Sequence, residues 1–384
     1  MMHLIFSAVL LLTHVSIIDV RTGRVQRDTT LEIQSDVDRV VDGSGKFVIP
    51  ALWDMHTHLP DDDVGRNAYL PLFLANGVTG IRVMEGSPEL YRWREEIRRG
   101  HLLGPRMIVA SAIIDGPQSF LSDAVKVSTP AEARRAVLRT KREGADFVKV
   151  YDNLSRAAYG AIISEARRLR LPVEGHVPTA LTVREVSRAG QKSIEHMMGI
   201  AAAGPEVFAV LKKNHTWECP TLIMRHNYAW LDNPRLAADP RLKYIRPSTR
   251  QRWLSMIGQL NADRKAIFAR EQQLAGAMAR SGVGILAGTD NGNPFCFPGF
   301  SLHDELALLV EGGLTPLQAL QTATVNATRF LGIETSADLL ILDGNPLEDI
   351  ANTKRINAVV IGGRLLDRRA LDKLLAESES AASH

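Results

Sequence analysis

A chain of 384 residues, 45% hydrophobic and 23% charged, has the make-up of a soluble globular protein. It is longer than one usual core, so a large domain plus a smaller one is expected. A formal net charge of +3 with scattered arginines supplies no basic stripe for nucleic acid, and Arg167-Arg168-Leu169-Arg170 reads as a solvated helix face.

Leu4 to Leu12 is apolar, but no positive segment precedes it and no small-residue cleavage site follows. It is also too short to span a bilayer, so no membrane attachment is expected; the cytoplasm is favoured, with export left open. The stretch leads into Val15-Ser16-Ile17-Ile18-Asp19-Val20 and a turn at Arg21-Thr22-Gly23, the first strand of a β-domain.

From about residue 50 to 333, short apolar runs alternate with longer helical patterns, as in repeated βα units. Eight runs centre on Ile49-Trp53, Gly80-Met84, Met107-Ile113, Phe147-Tyr151, Pro172-His176, Ser193-His196, Thr216-Leu222 and Val283-Gly288. Between them lie amphipathic helices, one starting at Pro130 with Thr129 as its cap, another spanning Ser155 to Leu169. This rhythm predicts a (β/α)8 TIM-like barrel over 49–336, with its chemistry at the strand ends. Asn227 to Arg270 is long and rich in Arg, Pro and Trp, the kind of insertion that carries functional lids. Alternating runs recur at Ala337-Leu342 and Ala358-Gly363. Residues 1–48 and 337–366 therefore predict a small β-domain built from both termini. Arg368 to Glu377 reads as a last helix, with a disordered Ser/Ala tail closing the 367–384 segment. Cys219 and Cys296 make no disulfide framework; Cys219, ahead of Pro220, reads as a core thiol.

Chemistry-bearing side chains fall at the ends of these runs. His56 and His58, at i and i+2 on a strand, face the same way and close the first run. Lys149 lies inside Phe147-Val148-Lys149-Val150-Tyr151, where a buried ammonium is expensive and desolvation exposes a neutral amine. Such an amine combines with carbon dioxide to give a carbamate, an anionic ligand able to bridge two cations; a salt-bridged strand-end lysine is the plainer alternative. His176 and His196 end the next two runs, and imidazole suits zinc and related metals. Asp290 follows Ala287-Gly288-Thr289, either as ligand and proton shuttle or as a helix cap. In a parallel barrel these ends converge on one mouth, so His56, His58, Lys149, His176, His196 and Asp290 are expected to form one metal site.

Tyr151, two residues after Lys149, is expected to point into that mouth. Arg225, His226 and Tyr228 after the seventh run and His303 after the eighth are balanced between substrate contact and ordinary hydrogen bonding. Phe295, Phe297, Phe300 and Trp230 suggest a partly apolar pocket or simple packing.

These residues carry a resemblance. Asp54-Met55-His56-Thr57-His58, Lys149, Gly175-His176-Val177, Ile194-Glu195-His196, Ala287-Gly288-Thr289-Asp290 and Ala337-Asp338-Leu339-Leu340-Ile341-Leu342 with Gly344-Asn345-Pro346 are similar to the metal-dependent amidohydrolase superfamily, in its imidazolonepropionase-like and prolidase-like branch. The resemblance implies two divalent metal ions, zinc above all: His56, His58 and Asp290 on one, His176 and His196 on the other, and carboxylated Lys149 bridging them. It implies a terminal β-sandwich domain as well. The expected activity is hydrolysis of an amide-type C–N bond in a dipeptide, N-acyl amino acid or cyclic amide, by a metal-bridging hydroxide with Asp290 as proton shuttle. Alternatives are an ester, lactone or phosphotriester at the same site, or a non-catalytic metal-binding barrel. The partner is then a small-molecule substrate, with a homo-oligomer left open. The chain departs from the pattern where Ile33-Gln34-Ser35-Asp36 passes almost directly to Val40, and where Ile333-Glu334-Thr335-Ser336 runs into Ala337. Either the β-domain is trimmed there or loops are missing from the sequence at both joins, and missing loops are the expectation.

Overall fold

The computed structural model describes residues 8–35, 38–259, 262–334 and 337–383. Before the first helix come β1 (Ala8–Ile18), β2 (Val25–Ser35), β3 (Arg39–Asp42), β4 (Phe47–Pro50) and β5 (Leu52–Thr57). The middle of the chain carries β6 (Val78–Val83), β7 (Arg106–Val109), β8 (Ile114–Asp115), β9 (Val125–Lys126), β10 (Val148–Val150), β11 (Val173–Gly175), β12 (Ser193–Glu195) and β13 (Trp217–Cys219). Near the end lie β14 (Leu339–Leu342), β15 (Ile356–Ile361) and β16 (Arg364–Leu366).

Strands from the two ends of the chain share one sheet, ordered β16-β15-β14-β4-β1-β2 with β3 also on β1. Strand alternation sorts its side chains into two layers. Val48, Ile341, Ala358 and Val360 gather with Leu10, Leu12, Val15 and Ile33 in a small core of their own. Their neighbours Ile49, Leu340, Leu342 and Val359 face the other way and join the main core. In β1 the pairing register shifts between Leu12 and Val15, which lets both Leu12 and Val15 reach the same small core. The run Ile49-Trp53 is divided between two strands: β4 ends in the terminal sheet at Pro50, and β5 starts the inner sheets at Leu52.

The inner strands form β5-β6-β7 and β13-β12-β11-β10-β8-β9, all parallel. Backbone contacts join their edges. Ala110 bridges to Phe147 and Glu218 to Ile285, while Met55 N–H donates to Ala287 O at 2.8 Å. The architecture is a TIM-barrel-like α/β fold. Every residue of β5, β6 and β10 to β12 is buried, as expected of parallel strands covered on both faces. Helices follow most inner strands. Pro130–Glu143 starts on the Thr129–Glu132 capping box and ends on left-handed Gly144, while Ser155 caps Arg156–Arg168.

The described residues of the insertion after β13 form regular elements. Helix Leu222–Ala229 is followed by short turns at Pro234–Ala238 and Pro240–Tyr244, then helix Pro247–Ser255. Trp253 packs its ring near Phe295 and Phe297, all three fully or almost fully buried, so these aromatics are core rather than pocket. The tail differs from expectation. It is helical from Arg368 to Ala382, because Leu371, Ser378 and Ala382 fall on one buried stripe at helical spacing, packed on 65–75. The expected missing loops fall at residues 36–37 and 335–336, which lie outside the described residues. No helix among the described residues is long and apolar enough to cross a membrane.

Candidate active site

The site starts from strand alternation in β5. Asp54, His56 and His58, each two residues apart, point to one side. His56 Nε2 lies 3.5 Å and His58 Nε2 3.3 Å from Asp290 Oδ1. His196 Nε2 approaches the other oxygen, Asp290 Oδ2, at 3.7 Å. His56, His196 and Asp290 thus bring ligand atoms within 4.8 Å of one another. The rings of His176 and His196 meet edge-on, 4.9 Å between centroids, which brings the fourth imidazole into the same cluster.

Asp290 sits in the left-handed region, φ 53°, and its N–H donates to His56 O at 2.7 Å. It caps no helix; the next one starts at Phe300. The approach of its loop to β5 requires Gly288. A Cβ there would lie 2.5 Å from Cys219 Sγ and 2.7 Å from His56 Cβ. Asn291 locks the same loop by accepting from His58 N–H and donating to His58 O.

The ring nitrogens facing away from the cluster are anchored. His56 Nδ1 is 2.8 Å from Glu195 Oε2, and His176 Nδ1 is 2.7 Å from Asp152 Oδ1. His196 Nδ1 is 2.7 Å from Thr221 Oγ1. A carboxylate on Nδ1 fixes its proton there and leaves the Nε2 lone pair directed into the site, the usual support of a metal-ligating imidazole. Burial lowers the basicity of His56 to about 4 and of His176 and His196 well below the ordinary histidine value, so all three present neutral nitrogens. In His58 desolvation is outweighed by Asp290 and Glu85, which raise it to about 9. Burial pushes the Asp290 carboxyl up, but His56, His196 and His58 hold it well below the carboxylate range. Lys149 is 1% exposed, and burial lowers its basicity. Its charge in turn depresses His56, His176 and His196.

Beneath the ligands runs a buried ionic layer absent from the sequence reading. Arg82 donates to Glu195 through Nη2 at 2.9 and 3.0 Å, to Glu174 and Ser193 through Nη1, and to Met55 O through Nε. Asp54 accepts from Thr289 N–H and Oγ1–H and from His56 N–H, and burial pushes its carboxyl up to about 7. Some signal existed for these residues. Asp54 precedes His56 by one strand repeat, and Glu195 and Asn291 each neighbour a candidate ligand. Arg82 and Asp152 carried no such signal.

The weaker candidates separate. Tyr151 stacks on His176, 4.0 Å between centroids, and Phe120, 74% exposed, leans on Tyr151 at 6.0 Å, so both border the mouth. Arg225 and Tyr228 line a cavity beside it. His226 stacks on Trp230 and bonds Asn227. His303 is not at the site: its two ring nitrogens are bonded to Thr353 Oγ1 and Asn76 O, both at 3.0 Å, and it is 2% exposed.

A TIM-barrel-like fold with clustered histidines and an aspartate at its strand ends defines a hydrolase with candidate metal-ligand groups. The chain belongs to the amidohydrolase family, whose model matches residues 47–366, and is a hydrolase of carbon–nitrogen bonds. It is 27% identical over 394 residues to an ochratoxinase of Aspergillus niger, covering 83% of this chain and 75% of that protein. Bottromycin amidohydrolase superposes with a TM-score of 0.81 at 28% identity, over 97% of this chain and 90% of the other. A structure described as a putative prolidase from Bifidobacterium longum shares the fold, with a TM-score of 0.75 at 24% identity over 97% and 99% of the two chains.

Proposed function

We propose that this chain is a binuclear metal-dependent amidohydrolase, with His56, His58 and Asp290 holding one divalent ion and His176 and His196 the other. Carboxylated Lys149 lies between them, its desolvated amine having added to carbon dioxide with loss of a proton. The nitrogen and carboxylate donors suit zinc. One observation carries the reading: His56 Nε2 is buried with no hydrogen-bond partner among the described residues, while its other nitrogen is fixed on Glu195. An unsatisfied buried acceptor costs about 1–3 kcal/mol, and a cation shared with Asp290 removes that cost.

When bound, such ions polarise a scissile carbonyl and lower the pKa of a shared water. The Asp290 carboxylate takes the proton of the attacking water and returns it to the leaving nitrogen. Tyr151, stacked on His176, and exposed Phe120 shield that edge of the mouth. The scissile group is an amide-type bond in a dipeptide, N-acyl amino acid or cyclic amide, in keeping with relatives named prolidase and amidohydrolase.

The same reading closes the inner strands into an eight-stranded barrel over 49–336, supported by the Met55–Ala287 and Glu218–Ile285 contacts. The β-domain is assigned to 1–48 and 337–366 as a sandwich, supported by the shared sheet and its separate small core, and 367–384 to the terminal helix and tail. Elemental analysis with a panel of dipeptides, N-acyl amino acids, lactones and esters tests the function. Two metals per chain and metal-dependent amide cleavage are expected. Full activity after chelation, or lactone and ester turnover with no amide turnover, overturns it.

A further inference from the structure

Beside the ligands lies a cavity of about 390 Å³, within the roughly 300–1,000 Å³ of small-molecule pockets. Its walls come from helices Leu222–Ala229 and Ala262–Ser281, through Met224, Arg225, Tyr228, Arg264, Phe268 and Glu271. Two of these walls are tied to candidate ligands. Arg225 Nη2 donates to His196 O at 2.9 Å. The Tyr228 hydroxyl donates to Asn293 Oδ1 at 3.0 Å, and Asn293 Nδ2 donates to Asp290 O at 3.0 Å. The cavity wall is therefore bonded directly to the His196 backbone and, through Asn293, to the Asp290 backbone.

Its charges do not balance. Arg225 Nε is 3.4 Å from Glu271 Oε2, so that pair cancels. The Arg264 guanidinium lies over the Tyr228 ring, 5.4 Å from its centroid, and among the described residues no carboxylate pairs with it. One uncompensated cation thus faces a space otherwise walled by Met224, Phe268 and Ile267, the last 50% exposed at the rim. A guanidinium takes a carboxylate through two parallel N–H bonds, and the apolar wall accepts a hydrocarbon side chain. In an amide whose nitrogen belongs to an amino acid, the carboxylate and side chain both sit on the carbon attached to that nitrogen. A pocket whose wall is tied through Asn293 to the Asp290 backbone is placed to take up both groups.

We propose that this cavity receives the amine-side half of the substrate: an apolar amino acid with a free carboxylate held by Arg264. The inference rests on the amide-hydrolase reading and names its substrate class, N-acylated apolar amino acids and dipeptides with an apolar C-terminal residue. Arg264 acts as a specificity residue, and Arg225, bonded to His196 O and ion-paired with Glu271, as a positioning residue.

Calorimetric binding to the full-length, metal-loaded protein tests the pocket without turnover, using L-leucine and isoamylamine, the same molecule without its carboxylate. L-Leucine is expected to bind about tenfold more tightly or better, the usual scale of a hydrogen-bonded charge pair. Arg264→Gln is expected to abolish that difference, and Arg264→Lys to restore part of it. Equal affinity in the wild-type protein, no binding of either probe, or an unchanged preference in Arg264→Gln overturns the proposal. A kinetic arm compares N-acetyl-leucine with N-acetylisoamylamine. Arg264→Gln is expected to raise KM for the acid about tenfold with little change in kcat, bringing kcat/KM down to that of the neutral amide. A fall in kcat with KM unchanged counts against a binding role. Failure of the metal-loaded enzyme on every amide, with L-leucine preference intact, sinks the hydrolytic reading and leaves the carboxylate pocket standing.

Discussion

Glu195→Gln separates the support of the metal ligands from the ligands themselves. Glu195 is fully buried and its two oxygens accept from Arg82 Nη2 at 2.9 and 3.0 Å, with Ser193 Oγ also on Oε1 and His56 Nδ1 on Oε2 at 2.8 Å. Glutamine keeps the shape and removes the charge. Arg82 donates to both oxygens, so either placement of the amide –NH2 sets donor against donor. If the –NH2 takes the Oε2 position, it also faces His56 Nδ1. The imidazole proton then moves to Nε2, and the lone pair aimed at Asp290 is lost. Breaking one partner of a buried ion pair costs about 3–5 kcal/mol, and loss of a group that orients a metal-ligating histidine typically costs about 10–100-fold in metal affinity. Urea denaturation of the chelated protein reads the first effect, and competitive titration against a chromophoric chelator reads the second. Glu174→Gln is the control: it removes an Arg82 partner at 2.8 Å with no contact to His56, so stability falls and metal affinity holds. If Glu195→Gln binds metal as tightly as wild type, or if both variants lose metal equally, Glu195 is not what orients His56.

Asp290→Asn is expected to retain much of the metal while turnover falls about 10²–10⁴-fold, the scale of a lost proton shuttle; a fully active variant removes Asp290 from proton transfer. Lys149→Ala is expected to lose metal and activity together, with bicarbonate giving no rescue and a short carboxylic acid giving some. Metal retained by that variant refutes the bridging carbamate. Glu305 accepts from Ile223 N–H at 2.7 Å, its Oε1 has no hydrogen-bond partner among the described residues, and burial raises its carboxyl from 4.5 to about 8. A raised folded-state value means its contribution is fully present below 4.5 and lost as pH rises through 8. Glu305→Gln is therefore expected to be the more stable protein at pH 9, by something on the order of a few kcal/mol, with no such advantage at pH 5. Denaturation midpoints that move in parallel with pH in both proteins exclude this role.

What the sequence determined by itself was local. Apolar runs broken by amphipathic stretches located the inner strands, because period and burial are properties of neighbouring residues. The capping box at Thr129 and Glu132 and the cap at Ser155 were legible for the same reason. His56, His58, Lys149, His176, His196 and Asp290 stood out because each is costly in or beside a run that has to be buried. Pairing was decided elsewhere. His56 meets Glu195 across 139 residues and Arg82 meets Glu195 across 113, and their meeting depends on which strands pair and in which register. His303 stood balanced between substrate contact and ordinary hydrogen bonding, and packing decided for the latter by supplying Thr353 and Asn76 for its two nitrogens. Arg264 carried no motif at all; it faces the cavity because helix Ala262–Ser281 lies against Leu222–Ala229, and among the described residues no carboxylate pairs with it. A side chain's type is written in the chain, but whether its charge is cancelled depends on neighbours that the fold alone brings within a few ångströms.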